Sequence, residues 1–383
     1  MDRFDVLIVG AGIVGCACAR ECALAGLRVG VVEGGMPAGG ATAAGMGHIV
    51  VMDDSPAQLA LTAYSRSLWL AESANLPPAA EYESRGTIWV AADDDEMAEV
   101  FTKNKSYAAA GIESQVLNPA ELYQHEPNLG DGLAGGLLVP HDGVSYPPAS
   151  AQFFLEEAQR RGAKLILARA LSASNGEVRL ANGVVLHADR IVLAVGAECD
   201  LLPAMPIRKR KGHLLITDPY PGFVNHQLVE LGYLKSAHAV DMDSVAFNIQ
   251  PRKSGQLLVG SSRQYGSTNP EPEVGILNAM LDRAAVFMPA LGEMSIVRAW
   301  AGFRAAMPDK LPLIGPAKGL SDDPTLWLAV GFEGLGITGS LAAARLLLDG
   351  IVAQQSAINP TPYLPLRLAM HKHHDVEIES HPV

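Results

Sequence analysis

Apolar residues near the N-terminus form uninterrupted runs, which is typical of strands buried on both faces. Residues 5–9 form the first predicted strand, apolar from Val6 to Val9, and a glycine-rich turn and a helical stretch follow it as far as Gly26. The second predicted strand, residues 28–32, carries no charge after Arg28 and ends at Glu33. Two buried strands joined by one helix predict a βαβ unit with parallel strands.

The turn between the first strand and the helix contains Gly10, Gly12 and Gly15 in the spacing GxGxxG. Such glycines give a tight turn, let a pyrophosphate approach the backbone, and let helix and strand pack closely. The phosphates then lie at the helix N-terminus, where N–H groups and the helix dipole favour anions. Glu33 follows Gly10 by 23 residues, where a carboxylate accepts hydrogen bonds from ribose hydroxyls. The segment predicts a dinucleotide site; the alternative is a glycine-rich turn in an ordinary βαβ unit.

The remaining pattern predicts further pieces of a nucleotide-binding domain, interrupted by a second group of strands. The predicted elements are a helix over 55–75, short strands within 81–144, an amphipathic helix over 147–162, a strand over 163–168 followed by a hairpin, a buried strand over 189–196, strands over 213–300 with a helix near 273–287, and a last βα unit over 326–348. We expect an α/β fold, in which a Rossmann-like domain is interleaved with a substrate domain built on a mostly antiparallel sheet. The expected boundaries are 1–80, 145–212 and 301–365 for the Rossmann-like domain, 81–144 and 213–300 for the substrate domain, and 366–383 for a C-terminal tail.

Composition narrows the classes of function. The 383 residues are 49% hydrophobic and 18% charged, which suits a compact globular protein. The net charge of −12 argues against a nucleic-acid partner, because binding phosphates requires basic patches. Residues 208–211 form one dense basic run, which we expect to be a solvated strand end or turn, with a docking role as the alternative.

Cysteine and histidine clusters are the candidate metal ligands in this sequence. They are Cys16, Cys18 and Cys22 on the first helix, and His371, His373 and His374 near the C-terminus. We expect the cysteines to be small core residues rather than a metal cluster, because their helix packs on a sheet. The histidines are expected in a frayed polar terminus, with adventitious metal binding as the alternative. The sequence therefore predicts no metal site.

The cellular location is predicted from the start of the chain and from its cysteines. The first strand begins by about Phe4, with no basic segment or cleavage site before it, so no signal peptide is expected. No apolar run approaches the roughly 20 residues that span a bilayer. Four cysteines suit a reducing compartment. We expect a cytoplasmic protein, peripheral at the inner membrane if its electrons pass to quinone.

Two additional glycine-rich segments favour FAD over NAD. Residues 34–47 directly follow Glu33, and residues 331–338 lie at the last strand-to-helix junction. The ADP half of FAD fills the first βαβ crevice, while its isoalloxazine ring requires a further backbone cradle. Because a simple NAD domain needs neither segment, the sequence predicts an FAD-binding domain.

The chain resembles the D-amino acid oxidase superfamily over almost its whole length. The motifs that carry the resemblance are Gly10 to Gly15 with Glu33, residues 41–46, residues 189–196, residues 300–304 with 312–315, and residues 331–338. Within the superfamily it is most similar to glycine oxidase, sarcosine oxidase and the catalytic subunits of D-hydroxyproline dehydrogenases and opine oxidases. The resemblance implies an FAD-dependent oxidoreductase.

The resemblance also implies residues that contact the substrate. Arg304 matches the arginine that binds the substrate carboxylate, and a guanidinium does fit a carboxylate through two parallel donors. Met46 matches a residue beside the flavin, and His48 lies near a position that is basic in sarcosine oxidase-like enzymes. The alternatives are a surface or ion-paired arginine, a packed core methionine and a structural histidine.

The residues implied to line the cofactor come from the three glycine-rich segments and from the strands between them. They are Gly10, Gly12, Ile13, Val14, Gly15, Glu33, Gly34, Ala41, Thr42, Ala44, Gly45, Met46, Gly47, Leu171, Gly196, Gly302, Arg304, Gly331, Gly334, Leu335, Gly336, Ile337 and Thr338.

Five positions depart from the pattern of these relatives. Glu333 stands on a loop where glycine oxidase-like enzymes carry an arginine, so a second carboxylate contact from that loop is absent. Gly302 replaces the cysteine that attaches flavin in sarcosine oxidases, which implies non-covalent FAD. Leu258 stands near their oxygen-activating lysine, which weakens the oxidase interpretation. Asn248 and Arg263 replace a tyrosine and a methionine of the glycine oxidase pocket; Arg263 either binds a second anionic group of the substrate or faces solvent.

The implied reaction is FAD-dependent oxidative deamination or dehydrogenation of an amino acid at its CH–NH or CH–NH₂ group. Hydride passes from the α-carbon to flavin N5 and leaves an imine, and the substrate is D-, cyclic or N-substituted, such as D-hydroxyproline, an opine or glycine. The alternative is an FAD-carrying assembly or electron-relay subunit of a heteromeric dehydrogenase. Besides the small amino-acid substrate, the expected partners are subunits of such a complex or further copies of the chain.

Overall fold

A computed structural model describes residues 3–232 and 243–369. The strands, in chain order, are β1 (Arg3–Val9), β2 (Val29–Glu33), β3 (His48–Ile49), β4 (Thr87–Ala91), β5 (Gln115–Leu117), β6 (Gly135–Val139), β7 (Gly143–Val144), β8 (Lys164–Leu167), β9 (Ala170–Ser174), β10 (Glu177–Leu180), β11 (Val185–Leu193), β12 (Arg208–Thr217), β13 (Gln227–Glu230), β14 (Ser244–Pro251), β15 (Leu257–Tyr265), β16 (Ile296–Ala306), β17 (Leu313–Pro316) and β18 (Leu326–Val330). The α-helices are α1 (Ile13–Leu24), α2 (Gly40–Ala44), α3 (Pro56–Glu72), α4 (Asp94–Ala109), α5 (Pro119–His125), α6 (Pro147–Arg160), α7 (Val274–Phe287) and α8 (Gly336–Ile351).

The first sheet has a central strand, β1, with parallel β2 and β11 on its two sides. The strand order is β17-β18-β11-β1-β2-β8, and the hairpin of β9 and β10 extends it from β11. Helix α1 packs against α6 and α8. The three helices contribute to one core cluster with the apolar residues of β1 and β2. The α/β fold with a Rossmann-like βαβ unit at the N-terminus, predicted from the sequence, is confirmed.

The second sheet is mostly antiparallel, with the order β16-β12-β15-β14-β13-β4-β6-β5. Strands β12 and β16 form its longest ladder, which runs from Arg208↔Ala306 to Thr217↔Ile296. Strands β4 and β13, which come from widely separated parts of the chain, pair in parallel. Helix α7 packs on β14 and covers part of this sheet.

Two strands cross boundaries that the sequence predicted. Strand β12 spans the boundary at 212 and 213, and β16 spans the boundary at 300 and 301, yet each pairs along its length within the second sheet. Their long mutual ladder holds them in one sheet, a pairing between distant segments that no local pattern reveals. The tail is described only as far as residue 369.

The basic run at 208–211 is the start of β12, a strand end as expected, but it is solvated only at Arg208 and Lys209; for Arg210 and Lys211 the expectation of solvent exposure was wrong. Lys211 is fully buried and pairs with Glu273 at 2.8 Å. Arg210 is buried too and pairs with Glu333 at 2.5 Å. Carboxylates from other elements neutralise these cations, which lets a charged strand enter the interior.

The cysteines of α1 are buried among the core residues of the first sheet. Over residues 3–232 and 243–369, no three potential metal ligands converge on one point. The histidines at 371, 373 and 374 lie outside the described residues. Across the same described ranges, no helix has the length and apolar character needed to cross a membrane.

Candidate active site

A cavity of about 930 Å³ is lined by residues of both sheets. The first sheet contributes the turn after β1, the end of β2, residues 39–48 and the loop after β18. The second sheet contributes residues of β4 and of β12 to β16. A concave site of this size suits a cofactor or a small ligand.

The turn after β1 has the geometry that a bound pyrophosphate requires. Gly10 has φ +110°, and a Cβ there would lie 2.4 Å from the carbonyl oxygen of Ala194, so only glycine fits. Helix α1 begins directly after Gly12, and its first-turn residues Ile13 and Val14 line the cavity. The N-terminal end of a helix dipole therefore faces the cavity, which favours an anion.

Glu33 holds two backbone segments of this turn together. Its Oε2 accepts a hydrogen bond from the N–H of Ala11 at 2.7 Å, and its Oε1 accepts one from the N–H of Gly35 at 2.7 Å. A carboxylate oxygen can accept more than one hydrogen bond, so each can still accept a ribose hydroxyl. Glu33 thus shapes the cavity wall in addition to the ribose contact that the sequence suggested.

The segment from α2 to β3 forms a second wall, and its backbone carbonyls are held by side chains from three distant elements. The Nε1 of Trp300 donates to the carbonyl of Ala44 at 3.2 Å, the Nε2 of Gln250 to that of Met46 at 3.0 Å, and the Oγ1 of Thr338 to that of His48 at 2.9 Å. These contacts fix a glycine-containing backbone beside the cavity, as a cradle for a planar ring requires.

Arg304 lies across the second sheet in a slot formed by two glycines. Its Nη1 donates to the carbonyl of Ser262 on β15 at 2.8 Å, although Arg304 itself is on β16. A Cβ on Gly212, in the intervening strand β12, would lie 2.3 Å from that Nη1. A Cβ on Gly334 would lie 3.2 Å from its Nε. The absence of both side chains leaves the space that the guanidinium occupies beside the cavity.

A second arginine at the cavity, Arg210 on β12, is held by the loop after β18. The Nη2 of Arg210 lies 2.5 Å from the Oε2 of Glu333, and its Nη1 donates to the hydroxyl of Tyr265 at 3.2 Å. The Oε1 of Glu333 accepts from the N–H of Met307 at 2.5 Å. Glu333, which stands where the resemblance implied an arginine, is therefore neutralised by Arg210, a partner that the sequence did not identify.

His48 is neutral in this environment. Desolvation lowers its pKa to about 3, and its Nε2 has no hydrogen-bond partner within the described part of the chain. A basic type of residue was expected at this position. Histidine is such a residue, but its side chain is uncharged in this environment. Beside it, Met46 packs with Leu258 and Leu214 in a small apolar cluster.

The structure brings most of the predicted site residues to this one cavity, including Asn248 and a buried Arg263. The three that do not line it are Gly15, Leu171 and Thr338. Leu171 is 61% exposed, while the neighbouring Ala170 faces the cavity, as expected when side chains alternate along a strand.

The cavity residues that the sequence reasoning missed include Gln227 on β13 and Trp89 on β4. Both strands were expected, but the parallel pairing that places Gln227 opposite Thr87, and Val229 opposite Trp89, was not. A polar residue at the start of an apolar strand was the available signal.

Comparison with known proteins identifies the family to which this chain belongs. Residues 5–349 match the family model "DAO: FAD dependent oxidoreductase". The glycine oxidase of Pseudomonas aeruginosa is 27% identical over 94% of this chain and 98% of its own length. The hydrogen cyanide synthase subunit HcnC of the same species is 25% identical over 96% and 97%. The crystal structure of glycine oxidase from Geobacillus kaustophilus superposes with a TM-score of 0.85, at 24% identity, over 96% of this chain and 99% of that one.

Substitution of Glu33 tests the cofactor end of the cavity. Glu33→Ala removes the acceptor of two backbone N–H groups and of the ribose, so FAD binding should weaken by about 1–3 kcal/mol, or roughly 5- to 150-fold in Kd. Fluorescence titration with FAD measures this. The control is Glu113→Ala, whose side chain is 70% exposed on the surface. Equal FAD affinities in the two variants would show that Glu33 has no such role.

Substitution of Gly212 tests the slot of Arg304. In Gly212→Ala the new Cβ must open its distance to the guanidinium from 2.3 Å to about 3.5 Å. We expect the contact with Ser262 to break while the protein still folds, because the clashing atoms end a flexible side chain. The control is Gly275→Ala in α7, where nothing lies within 4 Å of the added Cβ. A crystal structure of Gly212→Ala with Arg304 unmoved would contradict this geometry.

Proposed function

Since this chain belongs to the DAO family of FAD-dependent oxidoreductases, we propose that it oxidises the carbon–nitrogen bond of an amino acid whose carboxylate binds Arg304. Bound FAD supplies the hydride acceptor for the α-carbon of the substrate. The remaining chemistry is positioning, and it depends on side chains that line the cavity.

The observation that carries the proposal is the placement of Arg304. Its guanidinium lies between Gly212 and Gly334 and donates to the carbonyl of Ser262, at the cavity wall formed by β12, β15 and β16. A planar guanidinium binds a carboxylate through two parallel hydrogen bonds, which fixes the orientation of the α-carbon as well as its position. Fixing the substrate in this orientation supplies a large share of the rate enhancement when the cofactor carries out the chemical step.

No general base is required by this proposal. The substrate amine needs only to be neutral before the hydride leaves, and water hydrolyses the imine after release. His48, whose pKa is lowered to about 3, offers a neutral ring at the cavity wall rather than a charge that would repel an ammonium group. Its side chain therefore favours binding without taking part in proton transfer.

The proposed FAD is not covalently attached. A Cβ on Gly302 would lie 2.4 Å from the Cβ of Ala44, so no nucleophilic side chain fits at that position. None of the four cysteines lines the cavity. The backbone of the two glycine-rich walls and the carboxylate of Glu33 would hold the cofactor.

The alternative, a relay or assembly subunit without its own substrate, is not favoured. A subunit that only passes electrons has no need of a guanidinium beside its cofactor. The relative HcnC is named as a subunit, so association with partner chains, or with copies of itself, is compatible with catalysis in this chain.

The natural electron acceptor is proposed to be a partner protein or a quinone rather than oxygen. Leu258, at the position of the lysine that activates oxygen in sarcosine oxidases, is buried and packs on Met46. An aliphatic side chain cannot stabilise the negative charge that develops on oxygen. The neutral His48 does not replace that lysine as a source of charge.

Anaerobic titration of the FAD-loaded protein with amino acids tests the function. We expect the flavin absorbance near its visible maximum to bleach with at least one D-, cyclic or N-substituted amino acid. Arg304→Ala should lower kcat/KM by about 2–5 kcal/mol, or roughly 30- to 5,000-fold, mainly through KM, because a bidentate charged contact is lost.

Two comparisons make that result specific. Arg179→Ala removes an arginine on β10 that is 62% exposed and does not line the cavity, and it should leave kcat/KM unchanged. Arg304→Lys keeps the charge but loses the planar fork, so it should also be impaired. Near-normal activity of Arg304→Lys would show that bidentate recognition is the wrong explanation.

The electron acceptor is tested by stopped-flow mixing of the substrate-reduced protein with air-saturated buffer. We expect reoxidation by oxygen to be slow compared with turnover with an artificial dye, because Leu258 provides no charge for oxygen. Leu258→Lys should accelerate reoxidation. Reoxidation of the unsubstituted protein as fast as its best dye turnover would identify it as an oxidase.

A further inference from the structure

Four uncharged polar side chains line the cavity along consecutive strands of the second sheet. They are Trp89 on β4, Gln227 on β13, Asn248 on β14 and Ser261 on β15. Their exposed fractions are 2%, 1%, 7% and 4%. Each belongs to a different strand, and Gln227 is offset by two residues from the position opposite Trp89, so the group forms an oblique row across the sheet.

Each of these side chains has a polar atom without a hydrogen-bond partner within residues 3–232 and 243–369. The atoms are Nε1 of Trp89, Nε2 and Oε1 of Gln227, Oδ1 of Asn248 and Oγ of Ser261. Buried polar atoms are paired in the great majority of native structures, and an exception requires an explanation. All four side chains line the same cavity, and one water molecule could not pair with unpaired atoms on four strands. Their shared location therefore indicates a larger ligand.

Trp89 is held in place from its other side. The ammonium group of Lys103 lies 4.6 Å from the centroid of its indole ring and pairs with Asp53. Lys103 is itself buried. The indole N–H is therefore a fixed donor and not a mobile group that could turn to find a partner elsewhere.

The chemistry of the row defines what it binds. Gln227 offers both a donor and an acceptor, Trp89 only a donor, and Asn248 an acceptor. A carboxylate has no donor for the acceptors, and an ammonium group has no acceptor for the indole N–H. A neutral group that donates and accepts, such as a carboxamide or hydroxyl, matches both.

The separation between Arg304 and the row sets the length of a ligand that could contact both. The guanidinium contacts Ser262 on β15, and Gln227 lies two strands away on β13. Adjacent strands are about 4.8 Å apart, so β15 and β13 are separated by roughly 10 Å across the sheet. The ladders place Gln227 at the level of Leu258, four residues from Ser262, which adds about 13 Å along the strands. The long side chains of Arg304 and Gln227 both line the cavity and shorten this separation, so a ligand that contacts both is an elongated one.

We propose that Gln227 and Trp89 form a specificity subsite for an uncharged hydrogen-bonding group, a carboxamide or hydroxyl, on the side chain of an amino acid anchored at Arg304. The subsite rests on the proposed function, because Arg304 defines the other end of the substrate. It selects polar neutral side chains over both apolar ones and anionic ones of the same length.

Binding of carboxylates that cannot be oxidised tests the subsite separately from the reaction. The FAD-loaded protein is titrated with 4-carbamoylbutanoate, glutarate and hexanoate, and binding is read from the perturbed flavin absorbance. These probes share the carboxylate and differ only at the far end, and they lack the amine that the reaction requires. We expect 4-carbamoylbutanoate to bind about 10-fold more tightly than the other two.

Variants assign that preference to named atoms. Gln227→Leu should abolish the preference, and Gln115→Leu, the same change at an exposed strand position, should retain it. Trp89→Phe keeps the ring beneath Lys103, removes only the N–H, and should reduce the preference about threefold. FAD content and the thermal unfolding midpoint check the folding of each variant.

The outcomes separate the two proposals. Equal affinities of the three probes for the unsubstituted protein would overturn the subsite and show that water satisfies the row. Tightest binding of glutarate would also overturn it, in favour of an anion site at Arg263. Unchanged binding of all probes to Arg304→Ala would instead contradict the carboxylate anchor, while dependence on Gln227 would still support a polar site.

Discussion

Glu333 links the two sheets at the cavity, and the geometry of the candidate site depends on that link. Its N–H donates to the carbonyl of Ala305 on β16 at 3.0 Å, and its carboxylate binds Arg210 on β12. Glu333 itself belongs to the loop after β18 of the first sheet, so one residue joins the cofactor side to both strands that carry Arg304 and its slot. Its φ of +56° is uncommon for a residue with a side chain, and the three contacts offset the strain.

The features that could be predicted from the sequence are those whose signal is local. The turn Gly10 to Gly15, the acid at Glu33 and the last βα unit each lie within a short stretch, and each occurs where it was expected. The pairing of β12 with β16, and of β4 with β13, joins segments far apart in the chain. Without these pairings the predicted domain boundaries fell inside β12 and β16, and the burial of Arg210 and Lys211 was not foreseen.

The same reasoning explains which site residues were found. Arg304, Met46 and His48 were identified because a known family carries counterparts at matching positions, whereas Gln227 and the pair of Arg210 with Glu333 have no local pattern that marks them. The protonation state of His48 could not be predicted either, because the cause of its lowered pKa is the desolvation that the folded chain imposes. For Leu171, the sequence did not reveal which of two neighbouring side chains on β9 faces the cavity. Side chains alternate along the strand, so Ala170 lines the cavity and Leu171 is exposed.

A crystal structure of the FAD-loaded protein with a bound simple carboxylate, such as propionate, tests the central claim most directly. The account predicts the two carboxylate oxygens within hydrogen-bond distance of the guanidinium of Arg304, with the α-carbon facing the flavin ring and the cofactor ribose at Glu33. A carboxylate bound elsewhere in the cavity, with Arg304 engaged only by Ser262 and the protein around it, would contradict the account.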